Sequence, residues 1–184
     1  MTAPLASDRG LPHAPRPITL PSGDVVQLHP MQAEDAEALV RFHHSLSRDT
    51  TYLRFFSVHP ELSDDEVHRF THVDHRDREA LVATVGDDIA GVARFDRLDR
   101  SGDAEVAFVV ADRWQGQGLG AVLFDALAAR ARSLGISRFV ADTLPHNRRM
   151  LNVFHHRGLP CTSELRDGVV HVEVDLAGVT PPAG

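Results

Sequence analysis

The chain has 184 residues, 42% of them hydrophobic, enough for one sizeable core and too few for two comfortable domains. Nineteen basic against 26 acidic residues leave a formal charge of −7, which argues against sequence-independent binding to nucleic acid or an anionic membrane. A single cysteine, Cys161, excludes an internal disulfide and a multi-cysteine metal site, and no apolar run approaches the ~20 residues of a membrane span.

In chain order, the proline-bearing segments 1–17 and 177–184 are expected to be disordered tails around one domain over 18–176. The start lacks a basic segment followed by an apolar core, so no signal peptide is visible and a cytoplasmic setting is expected. A first strand over 25–28 stops at Pro30, and a helix over 34–46 presents Leu39, Phe42 and Leu46 to one side. Ser63-Asp-Asp-Glu66 is a capping box that opens a second short helix through Phe70. Strands over 79–85 and 89–95 form a hairpin around Gly86-Asp-Asp88, and Gly102-Asp103 turns the chain into a strand over 105–110. From Leu119, the residues Val122, Leu123, Ala126, Leu127, Ala131 and Leu134 recur on one helical face while Asp125, Arg130 and Arg132 fall elsewhere, and Gly135 closes the helix. A strand over 138–143, a helix from Asn147 to Gly158 and a last strand over 169–174 complete the order β-α-α-β-β-β-α-β-α-β. The fold class is α/β, one domain with a mixed central sheet flanked by helices.

Chemistry concentrates where the 105–110 strand gives way to the Leu119 helix, through Arg113-Trp-Gln-Gly-Gln-Gly-Leu-Gly120. No proline lies between Ala111 and Leu144, so Gln115, Gly116, Gln117, Gly118, Leu119, Gly120 and Ala121 all carry amide hydrogens, and the helix N-terminus adds its positive dipole end. That combination is an anion site suited to phosphates, although a glycine-rich turn that merely packs a helix on a sheet has the same composition. A dinucleotide fingerprint, Gly116-x-Gly118-x-x-Ala121 with Asp142 about twenty residues on, competes; its place late in the chain opposes it. Glu105 shares a strand face with Ala107 and Val109, which makes it either a solvated strand end or a proton acceptor beside the anion site. His68-x-x-x-His72 with Asp74 and His75 has helical metal-ligand spacing, but without an HExxH pattern the histidines read as surface and pocket residues, and no metal is expected.

Gln115-x-x-Gly118-x-Gly120 resembles the Q/R-x-x-G-x-G/A pyrophosphate loop of the GNAT family of N-acetyltransferases. The resemblance extends to the 105–110 strand and to Asn147-Arg-Arg-Met-Leu-Asn-Val-Phe154 followed by Gly158-Leu159. Tyr52-Leu-Arg-Phe-Phe56, Phe70-Thr-His-Val-Asp74 and Ala80-Leu-Val-Ala83 are similar to the acetyltransferase domain of bacterial protein lysine acetyltransferases, the Pat group.

This likeness implies acetyl-CoA as co-substrate. Its pyrophosphate would sit on the amides of Gln115 to Ala121, its pantetheine arm would lie along Phe108, Val109 and Val110, and Asn147 and, more weakly, Arg148 would touch the coenzyme. It also implies Glu105 as general base and the lysine of a protein, such as an acyl-CoA synthetase, as acceptor. A small-amine acetyltransferase and a non-catalytic coenzyme A sensor are the alternatives, and the oligomeric state is not implied. Phe154 departs from the family pattern, standing where many members carry a tyrosine thought to protonate the leaving thiolate.

Overall fold

The computed structural model describes residues 14–98 and 102–178, so most of the two expected tails lies outside the described residues. Arg16 and Pro17, assigned to the first tail, instead open β1 (Arg16–Thr19), which pairs antiparallel with β2 (Val25–Pro30) from Arg16↔Leu28 to Thr19↔Val25. β1 is the edge of the sheet, where a proline without an N–H is tolerated.

A 3-10 turn at Ala33–Asp35 leads into α1 (Ala36–Ser45), which buries Leu39 and Phe42 as the spacing predicts. Next comes α2 (Arg48–Phe55), a helix that sequence periodicity does not reveal. Ser47 caps it by accepting from the Thr50 N–H, and Phe56 ends it in the left-handed region at φ 58°. α3 (Asp64–Thr71) starts on the expected capping box, with Ser63 and Glu66 each bonded to the other's backbone.

The sheet continues through β3 (Arg78–Val85), β4 (Asp88–Leu98) and β5 (Asp103–Val110), then α4 (Leu119–Ser133), β6 (Arg138–Thr143) and α5 (Arg148–His155). β8 (Val169–Asp175) is the expected last strand; β7 (Cys161–Arg166), exposed along most of its length, joins it across the two-residue turn Asp167-Gly168. The eight strands lie in the order β1-β2-β3-β4-β5-β6-β8-β7, with β5 and β6 parallel and the other neighbours antiparallel. No helix among the described residues is long and apolar enough to cross a membrane.

Helices cover both faces of the middle strands, which explains their unbroken apolar runs. Leu81, Ala83, Ala93 and Phe95 belong to the cluster under α4 with Leu123, Phe124 and Leu127. Ala80, Val82 and Val92 belong to the cluster under α1 with Leu39 and Phe42.

Arg130 departs from the helical pattern. It lies outside the apolar stripe by spacing, yet it is only 9% exposed because its Nε donates to Glu79 Oε2 at 2.9 Å, and Glu79 is 1% exposed. The other Glu79 oxygen lies 2.7 Å from His75 Nδ1, and Arg130 Nη2 donates to the His75 carbonyl at 2.7 Å. The three residues pin α4 to the start of β3. Glu79→Gln leaves the guanidinium buried and uncompensated, and is expected to cost about 3–5 kcal/mol in denaturant unfolding. Replacing Glu79 and Arg130 together with leucine and methionine should recover most of that loss, and a double-variant loss equal to the sum of the two single-variant losses would show that the pair is not coupled.

Candidate active site

β5 and β6 pair at Asp103↔Arg138, Ala104↔Phe139 and Glu105↔Val140, and then separate. β5 stays on β4 as far as Gly91↔Val110, while β6 continues on β8. Among the described residues, no strand pairs with β5 on its β6 side from Val106 to Val110. A cavity of about 350 Å³ lies along this edge, lined by Phe108, Val109 and Val110 and by Asn147, Met150 and Val153 of the α5 region.

The far end of the cavity is the glycine loop. Gly116 and Gly118 have φ of 76° and 90°, conformations that L side chains rarely adopt. Gly118 is also the N-cap of α4, and a Cβ there would lie 2.7 Å from Pro21 in the β1–β2 turn. Among the described residues, the N–H groups of Gly116, Gln117, Gly118, Leu119, Gly120 and Ala121 make no hydrogen bond. Gly116, Gly118, Gly120 and Ala121 line the cavity; the Gln117 and Leu119 side chains do not, since Gln117 Nε2 donates to the Arg113 carbonyl at 2.7 Å and Leu119 is buried under α4. The buried indole N–H of Trp114 has no partner either, and Trp114 lines the same cavity. This many unpaired donors at a helix N-terminus fit a phosphate group.

Gln115 differs from its expected role, because its backbone N–H is already committed to the Asp112 carbonyl at 3.3 Å. Its side chain does the work: Nε2 donates to the Val110 carbonyl at 3.0 Å and to Thr50 Oγ1 at 3.1 Å, and Oε1 accepts from Arg149. Asn147 caps α5 by accepting from the Met150 N–H at 3.2 Å and lines the cavity too. Of the arginines on α5, Arg149 lines the cavity and Arg148 does not; Arg157, just past the end of the helix, lines it as well.

Sequence reading missed the way α2 is fastened to this loop. Asp112 accepts from the Ser47 N–H at 2.9 Å, from Ser47 Oγ at 2.7 Å and from Thr50 Oγ1 at 2.8 Å. Burial pushes the Asp112 carboxyl up, but these hydrogen bonds outweigh it and hold the group below its ordinary value. A carboxylate depressed in this way stabilises the folded state above its unfolded value of ~3.9, and the contribution is lost as pH falls through the lower folded value.

Glu105 is the last β5 residue paired to β6, and its partner on β4 is Asp96. It is exposed, and among the described residues no hydrogen bond or ion pair engages its carboxylate. Ala107 and Val109, on the same face, line a second and mostly apolar cavity under α1, α2 and α3.

Phe154 is 1% exposed and packs edge-on against Phe108 and Phe124, with ring centroids 6.0 and 6.1 Å away. Cys161 lies on β7, beyond β8 from β6, and burial pushes its thiol up. Asp142, the acidic residue of the dinucleotide pattern, pairs with His171 on β8. His68 and His72 stack with centroids 3.9 Å apart, and among the described residues no group of three or more His, Cys, Asp or Glu is arranged to hold a metal.

The sequence profile of the Acetyltransferase (GNAT) family matches residues 40–159. The chain belongs to the GNAT acetyltransferase family. It is similar to acetyltransferase Pat of Mycolicibacterium smegmatis, 33% identical over 168 residues that cover 90% of this chain and 50% of that protein. The chain thus spans half the length of that relative. Acetyltransferase PA5475 of Pseudomonas aeruginosa is 31% identical over 72% of this chain and 73% of its own length. Among solved structures, the GNAT domain of S. lividans PAT superposes with a TM-score of 0.83 at 39% identity, over 88% of this chain and 96% of that domain. The Pat likeness carried by the sequence motifs is borne out, and the sheet is that of a GNAT domain.

Gly118→Val in this GNAT domain is expected to weaken acetyl-CoA at least tenfold by calorimetry, because the new side chain meets Pro21 and takes a left-handed backbone that β-branched residues resist. Gly116→Ala, with open space around its Cβ, should cost only about 1 kcal/mol. Undiminished affinity in the valine variant would remove the loop from coenzyme binding.

Proposed function

We propose that this domain moves the acetyl group of acetyl-CoA to a primary amine, the side chain of a lysine on another protein such as an acyl-CoA synthetase. The observation that carries the reading is the separation of β5 from β6 directly after Glu105, which leaves an open strand edge running into a loop of unpaired N–H groups. Glu105 and Val110 are five residues apart, roughly 17 Å of strand, on the scale of an extended pantetheine arm. The pyrophosphate then lies on the amides of 116–121 beside Arg149, and the amides of the arm pair with 108–110 as a short added strand. The reading sets this activity in one domain that starts at β1, two residues before the expected boundary at 18, and in the cytoplasm.

The acceptor amine, with an unperturbed pKa of ~10.4, arrives protonated at neutral pH. Glu105 takes that proton, directly or through one water, and the freed nitrogen lone pair attacks the thioester carbonyl carbon. The carbon–sulfur bond breaks with its electron pair on sulfur, and the attacking nitrogen, positively charged once bonded to carbon, gives its surplus proton to water to become the amide. A thiol near ~8.5 leaves tolerably as thiolate and takes its proton from water, since Phe154 has none to give. The lysine acceptor is supported by the likeness to Pat; Glu105 is supported by its uncommitted carboxylate at the end of the open edge.

General-base assistance is typically worth 10²- to 10⁴-fold, so Glu105→Gln should lower kcat by about that factor at pH 7 while acetyl-CoA affinity survives. The deficit should shrink as pH approaches the amine's own pKa. A near-normal kcat at neutral pH would remove Glu105 from this role. Transfer is direct, so Cys161→Ala should leave turnover of labelled acetyl-CoA onto proteins of a cell lysate essentially intact. A large loss of kcat in a folded variant would point to an acetyl-cysteine instead.

A further inference from the structure

Arg54 closes the last turn of α2 and lines both cavities: the one along the open edge of β5, which it shares with Val109, and the apolar one beneath Phe55, Phe70 and Ala107. Among the described residues, no hydrogen bond or ion pair engages its guanidinium; its contact is the Phe55 ring, with Cζ 5.0 Å from the centroid. Two more arginines share the patch. Arg94 is bound to Asp96 through Nε at 3.1 Å and Nη2 at 2.8 Å, with its Cζ 4.8 Å from the Phe70 centroid. Arg69 lies over the same ring at 5.0 Å without an ion pair among the described residues.

The register Asp96↔Glu105 and Arg94↔Ala107 brings the two acids and these arginines together on one side of the sheet. Three guanidinium groups therefore meet two carboxylates, and only Asp96 is engaged. In a chain of net charge −7, the surroundings of Glu105 are locally positive. Burial, with Arg94 adding to it, pushes Arg54 down to about 10 against the opposing pull of Glu105 and Asp96, so it remains a cation at neutral pH, poorly hydrated and with its donors unspent. A planar, half-buried guanidinium in that condition is completed best by a carboxylate, which takes two parallel N–H donors.

We propose that Arg54 selects the acceptor by gripping a carboxylate that the acceptor carries close to its reacting amine. The amine goes to Glu105 and the carboxylate to Arg54, so the two uncommitted opposite charges of the site each find a partner. The inference rests on the acceptor entering on the Glu105 face, as proposed above. The carboxylate has two possible sources, an acidic side chain beside a target lysine or the acid group of a free amino acid.

Two acceptor pairs separate the sources and test the idea: peptides with one lysine flanked by glutamate or by glutamine, and γ-aminobutyrate against its carboxamide. A charge-assisted hydrogen bond corresponds to about ten- to hundredfold, so kcat/KM should favour the carboxylate member of a pair by that factor, mainly through KM. Arg54→Gln should bring the ratio close to one, and Arg54→Lys, which keeps the charge but not the flat fork, should retain part of it. The ratio is internal to each enzyme, so it reads correctly in a variant of lower activity. A preference with γ-aminobutyrate while neither peptide is acetylated upholds Arg54 and overturns the protein-lysine reading. Peptides acetylated equally with either neighbour and no preference in the small pair, or a preference that survives Arg54→Gln, overturns the Arg54 assignment and leaves the lysine reading standing.

Discussion

Three residue pairs join β5 to β6, and the rest of the site depends on their ending at Glu105↔Val140. A strand edge without a neighbouring strand leaves N–H and C=O groups that water or a ligand must satisfy. Here the opening is held from outside. β5 is locked to β4 along its whole length and β6 to β8 along its own, so neither strand can swing over to close the gap. The cavity is a consequence of pairing elsewhere in the sheet, and a ligand that supplies strand-like amides takes the place of the strand the fold does not put there.

Charge is arranged on the same principle, with local order running against the global balance. The acidic surplus of the chain says nothing about the surroundings of Glu105, where arginines from α2, α3 and β4 gather. Glu79 and Arg130 form a complete pair inside the core, sharing His75 between them. Arg54 and Glu105 sit on one side of the sheet and stay apart, and this difference separates a pair that holds the fold from groups left available for chemistry.

Much of this was legible in the sequence. The glycines at 116 and 118, the Ser63 capping box, the Gly86 hairpin and the apolar stripe of α4 each follow from a local rule, and each appears in the structure. α2 was not legible because Asp49, Thr50 and Thr51 are poor helix formers. Its stability comes from Ser47 and Thr50 bonding to Asp112, more than sixty residues away. β7 escaped notice because an exposed edge strand has no alternating burial to reveal it. The shift from Arg148 to Arg149 is a matter of helical phase, since one residue turns a side chain by about 100° and the phase is set by the Asn147 cap. Gln115 was read for its amide when its side chain is the hub.

The contact between Pro21 and Gly118 carries a further lesson about how this chain can change over generations. A turn near the N-terminus and the cap of a helix about a hundred residues later occupy one another's space, so neither position is free to vary alone. Related chains that enlarge the residue at the cap would have to retract or shorten the β1–β2 turn, and the two sites should drift together. The same coupling makes that turn a poor place to splice in a tag or a loop, although it lies far from the loop in sequence.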